Sequence, residues 1–276
     1  MPKFAWTMAF AALVAGCAAT GSDGPAPAPS AQAPIPEVRP GVLAGYLPQG
    51  GAPNSLALIP APPAPSSAAQ ARDDAAAKAA TALRGGPRWD LATLDADLKF
   101  PAAAEVFSCS LGVKIAPETT PRLYILLRRT LADAGLSTYP TKNKYKRPRP
   151  FTVNNAPICT PAEEQMLRND GSYPSGHSAI GWAWALILAE AAPDRADAVL
   201  ARGRSFSQSR VVCNVHWTSD TEEGRMMGAA TVAKLHDDPT FRADLAAAKA
   251  EITDARAAGH APTRDCALET SQLAAG

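Results

Sequence analysis

Neither sign of charge dominates this chain. Lys and Arg number 27 against 26 Asp and Glu, so no global field draws it to nucleic acid or to a membrane surface. Any electrostatic selectivity must be local. Beyond the first residues there is no apolar run long enough to cross a bilayer, which argues against a membrane-embedded helical bundle. The alternation that marks strands is missing, and so are internal repeats, which disfavours sandwiches, barrels and solenoids. No CxxC pair marks a zinc or redox site, and no carboxylate cluster resembles a binuclear metal centre. What is left is a chain of 276 residues, long enough for one large domain or two small ones with a real core.

Proline is plentiful, with 26 residues concentrated towards the first third. Ahead of most of them, Lys3 and the apolar stretch Phe4–Val14 read as a targeting segment, too short to be a stable bilayer anchor. It ends in Val14-Ala15-Gly16-Cys17, which resembles the lipobox of bacterial lipoproteins, where the cysteine is lipidated. The expectation is a signal peptide over 1–17 and lipidation of Cys17. By the same resemblance, Ala18 after the cysteine favours an outer-membrane anchor facing the periplasm. Ordinary cleavage near Ala18-Ala19, giving a soluble periplasmic protein, is the alternative. Of the five cysteines, Cys109, Cys159, Cys213 and Cys266 then remain, enough for two disulfides in any of three connectivities, or for buried thiols.

Residues 18–40 are rich in Ala, Pro, Ser and Gly and read as a flexible tether. Gly41–Pro65 reads as an irregular, proline-rich arm packed on the domain, not as a strand. From Ser66 the signals are helical. Ser66–Leu83 is alanine-rich and closes at Gly85-Gly86. Thr120-Pro121 is a cap and first-turn proline, with Leu123, Leu126, Leu127 and Leu131 on one face as far as Gly135. Ser178–Ala189 reads as a buried helix, Asp194 as the cap of the next, Asn214–His236 as another, and Asp238-Pro239 as the start of a last one to about Ala257. The expected class is all-α, with residues 41–276 in one domain and the site between helices.

Three segments concentrate reactive groups. Lys142–Phe151 places five cations in eight positions, and Pro148 and Pro150 preclude a regular basic helix. Such an extended segment either lies solvated at the surface or aims Lys and Arg heads at a phosphate, Arg by a bidentate fork and Lys as a point charge. Nucleic acid is disfavoured by export and by the balanced charge. In Gly171–Ser178, Ser175-Gly176-His177 stands at a helix start, where unpaired N–H groups and a partial positive charge suit an anion. A histidine there is also a common structural residue. In Ser209–Asp220, His216 and Asp220 are four apart and share a helical face if the helix begins by His216. A carboxylate on one imidazole nitrogen fixes the tautomer and frees the other as nucleophile or base. A structural His–Asp pair or half of a metal site is the alternative. His236 and His260 stand outside all three segments.

Taken together, Lys142-x6-Arg149-Pro150, Pro174-Ser175-Gly176-His177 and Ser209-Arg210-x5-His216-x3-Asp220 resemble the three-part motif of the acid phosphatase and vanadium haloperoxidase superfamily, which includes the type 2 phosphatidic acid phosphatases. The stretch GSYPSGHS further resembles the signature of bacterial class A non-specific acid phosphatases. A second Arg-Pro, Arg147-Pro148, competes for the register, but the spacing from Lys142 selects Arg149. The resemblance is clearest from about Ser66 to Asp237. It implies an all-α fold and a phosphate pocket of Lys142, Arg149, Ser175, the Gly176 N–H and Arg210. It further implies His216 as nucleophile through a phosphohistidine, Asp220 as its orienting carboxylate and His177 as general acid. The implied activity is hydrolysis of small phosphomonoesters over a broad range, with transfer to alcohols as a side reaction and with no metal or other cofactor. A superfamily lipid phosphatase or pyrophosphatase and a non-catalytic phosphate-binding lipoprotein are the alternatives; a homo-oligomer is left open.

Overall fold

The computed structural model describes residues 1–2 and 34–276, and these are mostly helical. Met1–Pro34 forms a unit of its own, nearly all of it outside the described residues, as are the leader, Cys17 and most of the expected tether. Within Ile35–Gly276 the chain opens with a small antiparallel hairpin, β1 (Glu37–Arg39) and β2 (Val42–Leu43). The helices then run α1 (Ser55–Leu58), α2 (Ala68–Ala80), α3 (Pro87–Asp95), α4 (Ser108–Leu111) and α5 (Pro121–Leu136). After these come α6 (Tyr139–Tyr145), α7 (Pro150–Asn154), α8 (Glu164–Arg168) and α9 (Gly176–Ala191). The last four are α10 (Ala196–Val212), α11 (Thr218–Leu235), α12 (Pro239–Ala257) and α13 (Cys266–Ala274). The all-α class holds. Proline stands in the first two positions of α3, α5, α6, α7 and α12, where its fixed φ suits a helix and its missing N–H costs nothing.

The charge-free stretch expected to be buried is the middle of the molecule. A helix apolar on every side has no face to offer water. Accordingly α9 packs against α5, α10 and α11 and buries Ala179, Ala183, Trp184, Ile187 and Leu188 completely. From α5, Leu123, Leu126 and Leu127 enter the same core, and Trp184 Nε1 donates to the Leu127 carbonyl at 3.0 Å. Close approach of α11 to α9 depends on glycine: a Cβ on Gly224 would sit 2.5 Å from the Ser175 carbonyl oxygen. A second, smaller core gathers Phe151, Ile158, Leu167, Val212 and Val215 around the Cys159–Cys213 disulfide. The other pair, Cys109–Cys266, ties α4 to α13.

Several expectations need correction. The junction of tether and arm is not wholly irregular, since Glu37–Arg39 and Val42–Leu43 pair as strands. Lys142–Tyr145 belongs to a short helix, because Pro148 and Pro150 act only beyond it; residues 146–149 then form no regular element, left-handed at Lys146 and extended at Arg149, before Pro150 opens α7. Thr120 does not cap α5. Its hydroxyl turns back onto Ala116, and the α5 amides of Arg122 and Leu123 donate instead to the Glu251 carboxylate of α12. Asp194 likewise caps nothing and pairs with Arg256 at 3.0 Å. The helix expected from Asn214 begins only at Thr218, because Asn214 takes a left-handed conformation at φ 61°. Asp238 caps α12 as expected, through the Phe241 amide at 2.8 Å.

Candidate active site

Each of the three segments reaches the site by a helix end. Lys142 lies in the last turn of α6, after which a left-handed Lys146 reverses the chain and carries Arg147 and Arg149 back into the protein. Ser175 is the N-cap of α9; its hydroxyl accepts from the Ser178 amide at 3.2 Å and its own N–H donates to the Asp220 carbonyl at 2.9 Å. Gly176 and His177 are the first two residues of that helix, where amides have no partner within the helix. Arg210 sits in the last turn of α10, and its carbonyl accepts from both Val215 and His216 amides at 3.2 Å. Asn214 locks this turn: its side-chain amide donates to Asn154, Ala156 and Pro157 oxygens.

His216 therefore stands on a turn, not on a helical face. Asp220 still reaches it, because as the third residue of α11 it folds back over the helix start. Its Oδ2 accepts from the Trp217 amide at 2.8 Å and lies 3.3 Å from His216 Nδ1. On the other edge of the ring, Arg149 Nη1 approaches Nε2 at 3.0 Å. A guanidinium only donates, so Nε2 is an acceptor, and the ring proton is assigned to Nδ1, facing the carboxylate. His216 and Asp220 are both buried. Burial, reinforced by Arg149 and Lys142, holds the His216 pKa well below the usual histidine range. Burial also raises Asp220, against the pull of Arg147.

The cations are placed unequally. Asp170 accepts from Arg149 at 2.9 Å and from Lys142 at 3.3 Å, and Lys142 also donates to the Gly171 carbonyl. Burial and the neighbouring Arg149 pull Lys142 down to about 8. Arg210 is different. It is 1% exposed, and none of its three guanidinium nitrogens has a hydrogen-bond partner among the described residues. Burial, with Arg149 second, lowers it to about 10. His177 places Nε2 3.0 Å from the Ala96 carbonyl, which fixes a proton on Nε2 and leaves Nδ1 as the nitrogen that exchanges one. Burial and Arg210 depress its pKa well below the ordinary value.

A cavity of about 590 Å³ is lined by Lys142, Arg149, Gly176, His177, Arg210 and His216 together. Leu98, Leu131, Tyr139 and Ile180 share its wall. Of the residues expected at the site, Ser175 and Asp220 stand behind this lining. Three participants escaped the sequence reading. Asp170 stands just ahead of GSYPSGHS, outside all three motifs; Arg147 belongs to the competing Arg-Pro; Asp73, on alanine-rich α2, carries no sequence signal. Among the described residues no three His, Cys, Asp or Glu side chains gather as a metal-ligand set.

Residues 123–241 match the family model described as the PAP2 superfamily. The chain is 40% identical over 207 residues to the acid phosphatase of Zymomonas mobilis, covering 75% of this chain and 78% of that one. It is 41% identical to the non-specific acid phosphatase of Salmonella typhimurium, over 73% of this chain and 81% of the relative. The non-specific acid phosphatase of Providencia stuartii is also 41% identical, over 75% and 84% respectively. The chain belongs to this acid phosphatase family of the PAP2 superfamily. The PAP2 match contains every expected site residue from Lys142 to Asp220, whereas Asp73 lies outside it.

Proposed function

We propose that this PAP2-family phosphatase hydrolyses phosphate monoesters of broad range through a phosphohistidine on His216. The observation that carries the reading is Arg210, a fully buried cation without a partner among the described residues, in the same cavity as an oriented, neutral His216. Burying a charge without a counter-charge is costly unless an anion completes the site. A phosphate group would meet Lys142, Arg149, Arg210, the first amides of α9 and the remaining hydroxyl proton of Ser175. Arg149 then turns Nη1 from His216 to a phosphate oxygen. The freed Nε2 lone pair forms an N–P bond as the ester P–O bond breaks opposite it. The departing alkoxide takes the Nδ1 proton of protonated His177, and Asp220 stabilises the positive charge growing on His216. In the second step neutral His177 takes a proton from water, the water oxygen bonds to phosphorus, and the N–P bond breaks to release phosphate. An alcohol in place of that water gives transfer.

The buried cations support a metal-independent reaction, since they neutralise the charge that phosphoryl transfer spreads over the equatorial oxygens. Activity is expected to survive chelation, and vanadate to inhibit. Restoration by Zn²⁺ or Mg²⁺ after EDTA inactivation would instead recast His216 and Asp220 as ligands. Acid-labile, base-stable labelling of the protein by a ³²P-monoester, absent in a folded His216→Ala variant, tests the nucleophile. Ordinary turnover by that variant sinks the assignment, and wild-type protein that binds phosphate without labelling or turnover is a phosphate binder. Placement on the periplasmic side through a lipid on Cys17 belongs to the same proposal. Loss of fatty-acid labelling in Cys17→Ser checks it.

A further inference from the structure

Arg147 has no part in the chemistry written above, yet it is buried and both terminal nitrogens of its guanidinium are engaged twice. Nη1 donates to Asp220 Oδ1 at 2.6 Å and to Ser219 Oγ at 2.8 Å. Nη2 donates to Asp73 Oδ2 at 2.8 Å and to Gln70 Oε1 at 2.7 Å. Asp73 comes from α2 and accepts from the Ser219 amide at 2.9 Å and from the Ser219 hydroxyl. The Tyr173 and Trp217 rings lie 5.9 and 5.4 Å from the guanidinium carbon. A buried ion pair is weak grounds for stability, because desolvation offsets most of its attraction. A network this specific, aimed at the carboxylate behind the nucleophile, has another reading.

We propose that Arg147 is a positioning residue for His216, acting through Asp220, and that Asp73 tunes how much of Asp220's charge His216 feels. The inference rests on His216 being the nucleophile. Asp220 uses its two oxygens separately: Arg147 holds Oδ1, while Oδ2 serves the Trp217 amide and His216 Nδ1. With Oδ1 pinned the carboxylate does not rotate, so Oδ2 keeps the ring edge-on and its Nε2 directed at the phosphate. A guanidinium paired with Asp220 alone would also draw its negative charge away from the imidazole. Asp73 counters this by sharing the same guanidinium. Two carboxylates against one guanidinium leave one formal negative charge on the Nδ1 side of His216, while Arg149 stands on the Nε2 side. That asymmetry favours the positive charge that develops on the ring during attack.

A double-mutant cycle with Arg147→Lys and Asp220→Asn tests this, with kcat, KM and the inorganic-phosphate Ki measured for each member. Lysine keeps the charge but cannot fork between two carboxylates. Arg147→Lys should lower kcat by at least about tenfold in the wild-type background and by under about threefold once Asp220→Asn is present, the signature of residues acting as a unit. The phosphate Ki should stay within about twofold throughout, because Arg147 does not touch the pocket. Asp73→Asn, which leaves Arg147 in place, gives a second arm should lysine unfold the protein: a smaller kcat loss, again absent beside Asp220→Asn. Equal kcat losses in both backgrounds, or a Ki that worsens with kcat, overturn the proposal. Wild-type protein assayed alongside for phosphoenzyme separates the failures. If it forms none, the nucleophile reading fails and this inference with it; if it forms normally and the cycle is additive, only this inference falls.

Discussion

Arg210 and His177 are the two residues whose surroundings make the sharpest demands. Arg210 holds a charge in the interior with no partner among the described residues, so methionine, of similar length and apolar, should relieve the free protein while removing the phosphate contact. We expect Arg210→Met to raise the Tm by roughly 2–6 °C, about 1–2 kcal/mol for a domain of this size. The rise that inorganic phosphate gives the wild type should vanish, and kcat/KM should drop by on the order of 10²-fold or more. A lower Tm would mean that Arg210 serves the fold and not an anion. His177 is held by the Ala96 carbonyl through Nε2, which leaves Nδ1 to hand over a proton. An alkyl phosphate leaves as a strongly basic alkoxide and needs that proton; an activated aryl phosphate needs it much less. His177→Asn should therefore lose about 10²-fold more rate on glycerol phosphate than on p-nitrophenyl phosphate. Equal losses on both would reduce His177 to a phosphate ligand at the helix N-terminus. Both residues were legible in the sequence because their spacing within the three segments is local. Asp73 was not, since nothing in an alanine-rich helix says that one carboxylate will lie against the first turn of another helix 146 residues later.

At the scale of elements, what matters is how the turn from Cys213 to His216 is kept in place. Its N-terminal end is bonded to Cys159, and its backbone is held by the Arg210 carbonyl and the Asn214 side chain. Loop-closure entropy alone gives the Cys159–Cys213 link about 4 kcal/mol and the longer Cys109–Cys266 link about 5 kcal/mol, so both should support stability. Only the first lies in the turn that carries His216. Cys159→Ala/Cys213→Ala should lower kcat by about tenfold, whereas Cys109→Ala/Cys266→Ala should lower Tm and leave kcat within about twofold. If neither pair changes kcat in folded protein, the hydrogen bonds suffice and the disulfide is only a staple. The same turn shows why helix ends were harder to read than helix bodies. Period and composition placed α5, α9 and α12, because burial of an apolar stripe overrides weaker preferences. Caps depend on which side chain arrives from elsewhere. Glu251 took the amides expected for Thr120, and Arg256 took Asp194. Neither of these long-range partners is visible in a local window.

For the molecule as a whole, the site is a concentration of positive charge that the net charge of +1 conceals, and binding an anion there must be linked to protons. In the free protein His216 is buried and His177 half-buried, and desolvation, reinforced by Arg210, Arg149 and Lys142, holds both rings well below the range where a free histidine titrates. A histidine with its folded pKa held below the ordinary 6.5 takes up a proton later than the unfolded chain does. It therefore withdraws stability as pH falls from about 6.5 towards the folded value, and withdraws none above. A dianion in the cavity reverses the local field and lifts His177, so binding should take up a proton in this window. Sulfate is the suitable probe, since it stays dianionic throughout whereas phosphate does not. Lys142, at about 8, titrates above the window and is already charged within it. The rise in Tm given by a fixed sulfate concentration should thus grow as pH drops from about 6.5 to 5.5, with the apparent Kd tightening by up to about tenfold per unit for each proton taken up. In His177→Asn most of that growth should disappear, leaving a smaller, flatter sulfate effect from the cations alone. A sulfate effect that shrinks on acidification, or that grows equally in His177→Asn, would show that His177 does not gain a proton beside the anion, and the general-acid assignment would lose its basis.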